Sequence, residues 1–294
     1  MPDPPPTPDR GTSPVWVDVP GGRVPVVSHG EPDGPVAVAV PGLSDGLAPL
    51  SEPRVRRALP PPPRALRHLR THVVSHRHPV GVGTTTRDLA RDLVTVLDRV
   101  APDRPVLLVG HSMGGMVVQH AAALVPERVA GVVVSATRAR AGGQLTEVVD
   151  RWEADVAAGR VGRFLRDALE VSYTGAELLR RRMALRLFGV PEVDGLVERH
   201  AALSAATRTH DATAVLGRVT APALVLAGRL DPLAPPEAAA ELADALPDAR
   251  CVVLDGVAHG FPEQARGRYV AEVERLLERL GPPWSRRTRR PAHR

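Results

Sequence analysis

Short runs of apolar residues alternate with longer amphipathic segments along this chain, and this alternation limits the fold more than any other sequence feature. Four runs of five or six residues are almost wholly apolar, at positions 35–40, 105–109, 129–134 and 222–227. Such runs are typical of β-strands buried on both faces, as in parallel sheets. Because helical patterns separate the runs, we predict an α/β fold with a mostly parallel central sheet and helices on both faces.

The remaining segments complete this predicted core. Apolar and polar residues alternate on both sides of a Pro-Gly-Gly turn, which predicts an N-terminal hairpin over 15–28. Thr85 followed three residues later by Asp88 is a helix-start signal, and leucines then recur at helical spacing. The other expected elements are a strand over 71–75, helices over 116–124, 238–246 and 269–280, and a strand over 250–254.

The segment 137–210 interrupts the alternation, because its pattern is helical throughout and contains no buried strand. We therefore predict that it is a helical cap, inserted into a core made of residues 15–136 and 211–284. Half of the chain's aromatic residues lie in the cap, at Trp152, Phe164, Tyr173 and Phe188. The proline-rich segment 1–14 and the arginine-rich segment 285–294 are predicted to be disordered.

The distribution of charge argues against a polyanionic partner. The net charge is +5, and all 38 basic residues are arginine, against 33 acidic residues. Five of the arginines lie in 285–294, so the rest of the chain carries 33 basic and 33 acidic side chains. No basic groove is indicated, and we expect no nucleic-acid partner.

Composition also bears on location. No apolar run approaches the roughly 18 residues that a membrane-spanning helix needs, so no membrane span is expected. The first fourteen residues lack the basic and then apolar pattern of a secretory signal. The single cysteine, Cys251, cannot form an intrachain disulfide, and we expect it to be a small core residue. These features favour a cytoplasmic protein.

The segment from Gly110 to Gly114 matches the pattern G-x-S-x-G, with Ser112 at its centre. A buried strand is predicted immediately before it and a helix immediately after it, which is the setting that a nucleophile elbow requires. Glycines fit both flanks because side chains in so tight a turn would collide with neighbouring backbone. The turn exposes the Ser112 hydroxyl above the N-terminus of a helix, where free N–H groups and the helix dipole favour negative charge.

A serine hydroxyl needs a base to take its proton, and the base needs a partner that fixes its tautomer. Asp231 and His259 follow Ser112 in that order, and each comes just after a predicted strand. All three therefore lie at the carboxyl edge of the predicted sheet, where parallel α/β folds place their sites. Asp255, four residues before His259, is the alternative acid, although its position also suits the capping of a turn.

With these residues in place, the sequence resembles the α/β-hydrolase superfamily over residues 15–280, in the branch with a serine nucleophile and a helical cap. The resemblance rests on the elbow Gly-His-Ser-Met-Gly-Gly, on Gly-x-x-Asp after a strand, and on Gly-x-x-His-Gly near the end. It implies that Ser112 is the nucleophile, that His259 is general base and then acid, and that Asp231 orients His259.

The resemblance also implies an oxyanion hole formed by the backbone N–H groups of Met113 and Leu43. Pro41 stands where the family usually has a histidine, so the polar contacts of that histidine are lost, while the backbone donor of Leu43 is expected to remain. His111, beside the elbow serine, is expected to pack in the site or line the pocket.

These residues predict a serine hydrolase that cleaves an ester or related acyl bond of a small, mostly apolar molecule through an acyl-enzyme, without a cofactor. The candidate substrate-binding residues are His111, Trp152, Phe164, Tyr173 and Phe188. The four aromatic residues also fit an apolar centre belonging to the cap itself. A ligand-binding receptor on the same scaffold, and haloperoxidase-like, lyase or acyltransferase chemistry, remain open.

A group of histidines at positions 68, 72, 76 and 78 is the other cluster of side chains that could carry chemistry. His72, His76 and His78 would share one face of a continuous strand, which is an arrangement that can bind a metal. Pro79 breaks this segment, and no cysteine or carboxylate is close in sequence, so we predict no metal site.

Overall fold

The computed structural model describes residues 14–43, 62–189 and 196–285. The predicted disorder of 1–14 and of 285–294 therefore lies almost entirely outside the described residues.

The described strands form one eight-stranded sheet in the order β1-β2-β4-β3-β5-β6-β7-β8. The strands are β1 Val15–Val19, β2 Gly22–Gly30, β3 Val36–Val40, β4 Arg70–Val74, β5 Val106–His111, β6 Val129–Ser135, β7 Ala223–Gly228 and β8 Ala249–Leu254. β2 pairs antiparallel with both β1 and β4, and every other neighbouring pair is parallel. The carboxyl ends of β3, β5, β6, β7 and β8 therefore meet at one edge of the sheet.

Nine α-helices are found in the described residues. They are α1 Thr86–Val100, α2 Met113–Leu124, α3 Gln144–Ala157, α4 Val161–Ser172, α5 Gly175–Phe188, α6 Leu196–Arg208, α7 Pro236–Asp244, α8 Phe261–Gln264 and α9 Arg266–Leu280. α1 begins where the sequence predicts, because Thr85 accepts a hydrogen bond from the Asp88 backbone and the Asp88 carboxylate accepts one from the Thr85 backbone. This reciprocal capping box satisfies donors that a helix end otherwise leaves free.

Both faces of the sheet are covered by helices. Consecutive residues of β5 point to opposite faces, so Leu108 packs in the same cluster as Leu93 of α1 and Val117 of α2. Its neighbour Leu107 packs on the other face, in the same cluster as Val273 of α9. The predicted α/β fold with helices on both faces is confirmed.

β8 lies at one edge of the sheet, with a neighbour on one side only, unlike the four strands predicted from apolar runs. Most of its residues are half-buried. Cys251 is therefore at the rim of the core and not inside it, which corrects the expectation of a core cysteine. Burial still raises the pKa of its thiol, with a smaller contribution from Asp244, so the thiol stays protonated at neutral pH.

The helices α3 to α6 lie between β6 and β7 and form the inserted cap. The two ends of the insertion are tied together by backbone hydrogen bonds, from Ala141 N to His210 O at 2.8 Å and from Ala212 N to Ala139 O at 2.9 Å. This pairing closes the insertion near the edge of the sheet where β6 ends. Among the described helices, none has the length and apolar character needed to cross a membrane.

Candidate active site

Ser112 lies between the end of β5 and the start of α2, with φ of 54° and ψ of −124°. A positive φ is rare for a residue with a side chain and marks a strained turn. The turn is tight enough that a Cβ at Gly114 would lie 2.1 Å from the Val40 carbonyl oxygen, and one at Gly110 would lie 2.6 Å from the Gly114 carbonyl oxygen. The sequence-based reason for glycine at both positions is therefore confirmed.

The three residues predicted to act together form a continuous hydrogen-bonded chain. His259 Nε2 is 2.8 Å from the Ser112 hydroxyl oxygen. His259 Nδ1 is 2.8 Å from Oδ2 of Asp231 and 3.0 Å from Oδ1. If Nδ1 carries the proton and donates it to the carboxylate, Nε2 is left to accept a proton from the serine.

Asp231 is held in place by the loop that follows β7. Its Oδ1 accepts hydrogen bonds from the backbone N–H of Leu233 at 2.8 Å and of Ala234 at 3.1 Å, and the residue is 2% exposed. Asp255 points elsewhere: its side chain is 76% exposed and binds Arg229 Nε at 2.9 Å. The structure therefore brings Asp231, and not the alternative acid Asp255, to His259.

His111 lies beside this chain without joining it. Its ring centre is 5.3 Å from that of His259, and its Nδ1 is 3.1 Å from the Ser135 hydroxyl oxygen. Burial, and then the neighbouring His259, lower the pKa of His111 to about 3. His111 is therefore neutral at physiological pH and packs within the site, as the sequence suggested.

The two predicted oxyanion donors belong to segments that flank Ser112. Met113 is the first residue of α2, directly after the serine. The loop after β3 comes so close that a Cβ at Gly42 would lie 3.0 Å from Cβ of Ser112 and 3.5 Å from its Oγ. Leu43 follows in this loop and is buried. Both backbone segments thus lie next to Ser112, and the oxyanion hole stays a prediction.

The cap aromatic residues divide into three groups. Trp152 and Phe164 are buried and packed edge to face, with ring centres 5.6 Å apart, and Phe164 also packs on His200. Both belong to the buried apolar cluster that also contains Leu108 and Val117 of the core. The expectation of an apolar centre belonging to the cap itself is therefore wrong for these two residues, because the cap packs continuously on the core. Tyr173 is buried against Gly260, next to His259 in the chain. Phe188 is 87% exposed at the end of α5, a position that does not support a place in a substrate pocket.

The histidines at 68, 72, 76 and 78 do not share one strand face, because β4 ends at Val74. His72 Nδ1 is 2.8 Å from the Ser28 hydroxyl oxygen, and His78 Nδ1 is 3.3 Å from Arg199 Nη1. Within the described part of the chain, no group of three or more potential ligands is arranged to hold a metal ion.

Sequence reasoning missed several residues around the site. One of them, Ser135, contacts His111 and could have been found from the sequence. It ends strand β6, and the carboxyl ends of neighbouring parallel strands meet at one edge of the sheet. Glu263 and Gln264 bind the cap residues Tyr173 and Thr174, each pair being 90 positions apart in sequence. No spacing rule relates residues so far apart, so the sequence alone carried no signal for these contacts.

Comparison with known sequences supports the family that this fold and this site indicate. Residues 66–265, more than half of the chain, match the family described as the alpha/beta hydrolase fold. The chain therefore belongs to the α/β-hydrolase family.

Particular relatives come from both sequence and structure. The chain is 30% identical over 226 residues to a pimeloyl-(acyl-carrier protein) methyl ester esterase of Neisseria meningitidis serogroup A, covering 68% of this chain and 70% of that one. The enol-lactonase from Burkholderia xenovorans LB400 superposes with a TM-score of 0.71 at 23% identity, covering 90% of this chain and 100% of that one. A thermophilic esterase from Thermogutta terrifontis superposes with a TM-score of 0.67 at 22% identity, covering 92% of this chain and 99% of that one. At these identities the two structures show the shared fold alone.

Proposed function

We propose that this protein is a serine hydrolase that cleaves a carboxylic ester through an acyl-enzyme. The observation that carries the proposal is the hydrogen-bonded chain from Ser112 through His259 to Asp231, at 2.8 Å for each of its two closest contacts. A chain of this kind activates a hydroxyl that is otherwise a poor nucleophile.

In the proposed first half-reaction, Ser112 Oγ bonds to the ester carbonyl carbon while its proton moves to His259 Nε2. The carbonyl electron pair moves onto oxygen, and the backbone N–H groups of Met113 and Leu43 stabilise that oxyanion. The intermediate then re-forms the carbonyl and breaks the bond to the leaving alcohol, which takes the proton from His259. Asp231 stabilises the imidazolium that exists in between.

In the second half-reaction, water replaces the serine as the nucleophile. His259 accepts a proton from the water as its oxygen bonds to the acyl carbon, and the proton passes to Ser112 as the acyl–serine bond breaks. The products are a carboxylic acid and regenerated enzyme. No redox partner or cofactor is required by this sequence of steps.

The proposed substrate class is a small ester with an apolar acyl group. The relative from N. meningitidis is named as an esterase of a methyl ester, which supports carboxylic ester chemistry at this site. The cap is inserted between β6 and β7, and its Tyr173 packs on Gly260, the residue after His259, so the cap is the part of the chain that we expect to select the acyl group.

A panel of p-nitrophenyl esters with acyl chains of increasing length, assayed on the purified protein, tests this proposal. We expect turnover that Ser112→Ala lowers by about 1,000-fold or more, since residual rates without a triad member are small. Ser28→Ala is a matched control, because Ser28 binds His72 in β4, outside the proposed site, and should stay within about 3-fold of the parent. Undiminished turnover by Ser112→Ala would contradict the proposal.

A second measurement separates an enzyme from a ligand-binding protein on the same scaffold. A fluorophosphonate modifies only an activated serine, so we expect rapid labelling of Ser112 in the parent protein. Peptide mapping by mass spectrometry identifies the labelled residue. Absence of labelling would favour the binding protein.

A further inference from the structure

The cap contacts the loop that carries His259 through the backbone. The end of α4 passes beside this loop, and Ser172 O accepts a hydrogen bond from Gly260 N at 2.7 Å, while Val171 O accepts a longer one from His259 N at 3.4 Å. The main chain at the candidate catalytic histidine is therefore bound by the inserted cap as well as by the core.

A glutamine side chain extends this pairing. Gln264 Oε1 accepts a hydrogen bond from Thr174 N at 3.3 Å, and its Nε2 donates to Thr174 O at 3.2 Å and to Thr174 Oγ1 at 2.8 Å. The Thr174 hydroxyl in turn donates to Gly256 O at 2.9 Å. One amide thus satisfies both backbone groups of Thr174, and the same threonine is tied to the start of the His259 loop.

Tyr173 adds a buried side-chain contact to the same interface, between residues 171–174 of the cap and residues 256–264, which we call the seam. Its hydroxyl donates to Glu263 Oε2 at 2.6 Å, and the Arg181 guanidinium lies 3.9 Å above its ring while also pairing with Glu263. The ring packs so closely on the loop that a Cβ at Gly260 would lie 2.5 Å from its Cε1. A side chain at position 260 would therefore collide with the Tyr173 ring.

From these contacts we infer that residues 171–174, the end of α4 and the turn that leads to α5, are a positioning element for His259. We call this segment the cap turn, and Tyr173 and its partner Gln264 are the principal side chains of the contact. The inference rests on the proposed function, since it concerns the aim of His259 at Ser112. Asp231 fixes one edge of the imidazole, and the cap turn fixes the backbone from which the imidazole extends. Displacing that backbone by about 1 Å is enough to lower a rate by about 100-fold in well-oriented sites.

The test is Gln264→Ala, which removes three hydrogen bonds of the seam and no group that touches the substrate or the reacting atoms. Gln144→Ala is the matched control, since Gln144 is exposed at the first residue of α3. For Gln264→Ala we expect kcat on a p-nitrophenyl ester and the rate of fluorophosphonate labelling both to fall by about 10-fold. We expect KM to change by less than about 2-fold and the control to match the parent.

Amide hydrogen exchange gives a readout that does not depend on catalysis. In Gln264→Ala, residues 171–174 and 256–260 should exchange faster together, while β5 and β6 stay protected as in the parent. Tyr173→Phe, which removes only the hydroxyl, supplies a second variant if Gln264→Ala fails to fold. We expect kcat, the labelling rate and hydrogen exchange to change in the same directions, but by less.

The outcomes separate this inference from the proposed function. Unchanged kcat and labelling in a folded variant would overturn the positioning role, even if its melting temperature falls, because a purely structural seam predicts that result. If the parent protein itself neither turns over nor labels, the proposed function fails, and exchange then decides whether the cap turn holds the His259 loop. Exchange confined to 171–174, with 256–260 unaffected, would overturn the coupling.

Discussion

Ser112 owes its position to a backbone conformation that its neighbours make possible. Positive φ at a residue with a side chain costs on the order of 1–3 kcal/mol, and the surrounding contacts must maintain it. One such contact is the close approach of α2 to the end of β3, where Gly114 faces the Val40 carbonyl oxygen. The elbow is therefore stable only while position 114 lacks a side chain.

At the residue scale we expect Gly114→Ala to be strongly destabilising. The added methyl group would lie 2.1 Å from backbone oxygen, which cannot rotate away as a side chain would, so β3 and α2 must separate. Overpacking of this kind typically costs about 1–3 kcal/mol or more, measurable as a lower urea midpoint.

Gly217→Ala is the control for this change, because Gly217 is exposed and a Cβ there meets nothing within 4 Å. A change of less than about 0.5 kcal/mol is expected at such a position. Equal stability of the two variants would show that the elbow tolerates a side chain at position 114.

The triad candidates were predictable because the carboxyl ends of parallel strands share one edge, so residues that follow β5, β7 and β8 had to meet. The choice of Asp231 over Asp255 was harder, since both follow strands. The structure separates the two by burial: Asp231 is enclosed by backbone donors, whereas Asp255 is exposed beside Arg229. Side-chain direction at a loop depends on tertiary packing, which sequence spacing does not encode.

At the scale of elements, helix α1 is the clearest case of local sequence determining a boundary. The Thr85 hydroxyl and the Asp88 carboxylate cap each other's backbone, and hydrogen bonding to Thr85 is the largest cause that lowers the pKa of Asp88. We expect Thr85→Ala to lower the free energy of unfolding by about 1 kcal/mol, as for other lost N-caps, and to raise the pKa of Asp88.

Urea unfolding and carboxylate titration by NMR check both parts of this prediction. Thr95→Ala is the control within the same helix, because the Thr95 hydroxyl donates back to the Arg91 carbonyl oxygen and alanine is the better helix former. The capping account is wrong if Thr85→Ala costs no more stability than Thr95→Ala, or if the Asp88 pKa does not move.

Elements with strong local signals were predictable, and elements defined by their neighbours were less so. The alternation of buried strands and helices determined the sheet, and the capping box determined where α1 begins. The half-burial of β8 depends on its place at the sheet edge, which follows from strand order and not from its own residues. In the same way, the aromatic residues of the cap predicted burial, but the folded chain was needed to show that Trp152 and Phe164 join the core cluster and that Tyr173 binds Glu263.

At the scale of the whole molecule, buried histidines make stability depend on pH. Burial lowers the pKa to about 4 for His72 and His200 and to about 3 for His78, His111 and His210. These side chains are neutral in the folded protein, whereas in the unfolded chain they bind protons as pH falls through about 6.5. Their contribution is therefore complete above pH 6.5 and is lost progressively as pH falls toward the folded values.

One buried carboxyl opposes this trend. Burial raises the pKa of Asp92 to about 6, despite its ion pair with Arg77 at 3.2 Å. Because the pKa of Asp92 is higher in the folded protein than in the unfolded chain, folding favours the protonated carboxyl. Asp92 therefore adds to the stability of the protein as pH falls through 6 toward the pKa of the unfolded chain. That gain is about 1 kcal/mol between pH 7.5 and 5.5, against about 1 kcal/mol lost through each of the five histidines.

The balance predicts that the protein is less stable in mild acid, by about 4 kcal/mol at pH 5.5 relative to pH 7.5. Urea unfolding at the two pH values measures this difference. His200→Gln isolates one contribution, because glutamine does not titrate and His200 is fully buried in the cap beside Ser204. The variant's free energy of unfolding should fall less between pH 7.5 and pH 5.5 than the parent's, by about 1 kcal/mol, whatever its stability at pH 7.5. A parent protein that gains stability on acidification would mean that these histidines are not held neutral by burial, and an unchanged pH dependence in His200→Gln would remove the cap from that account.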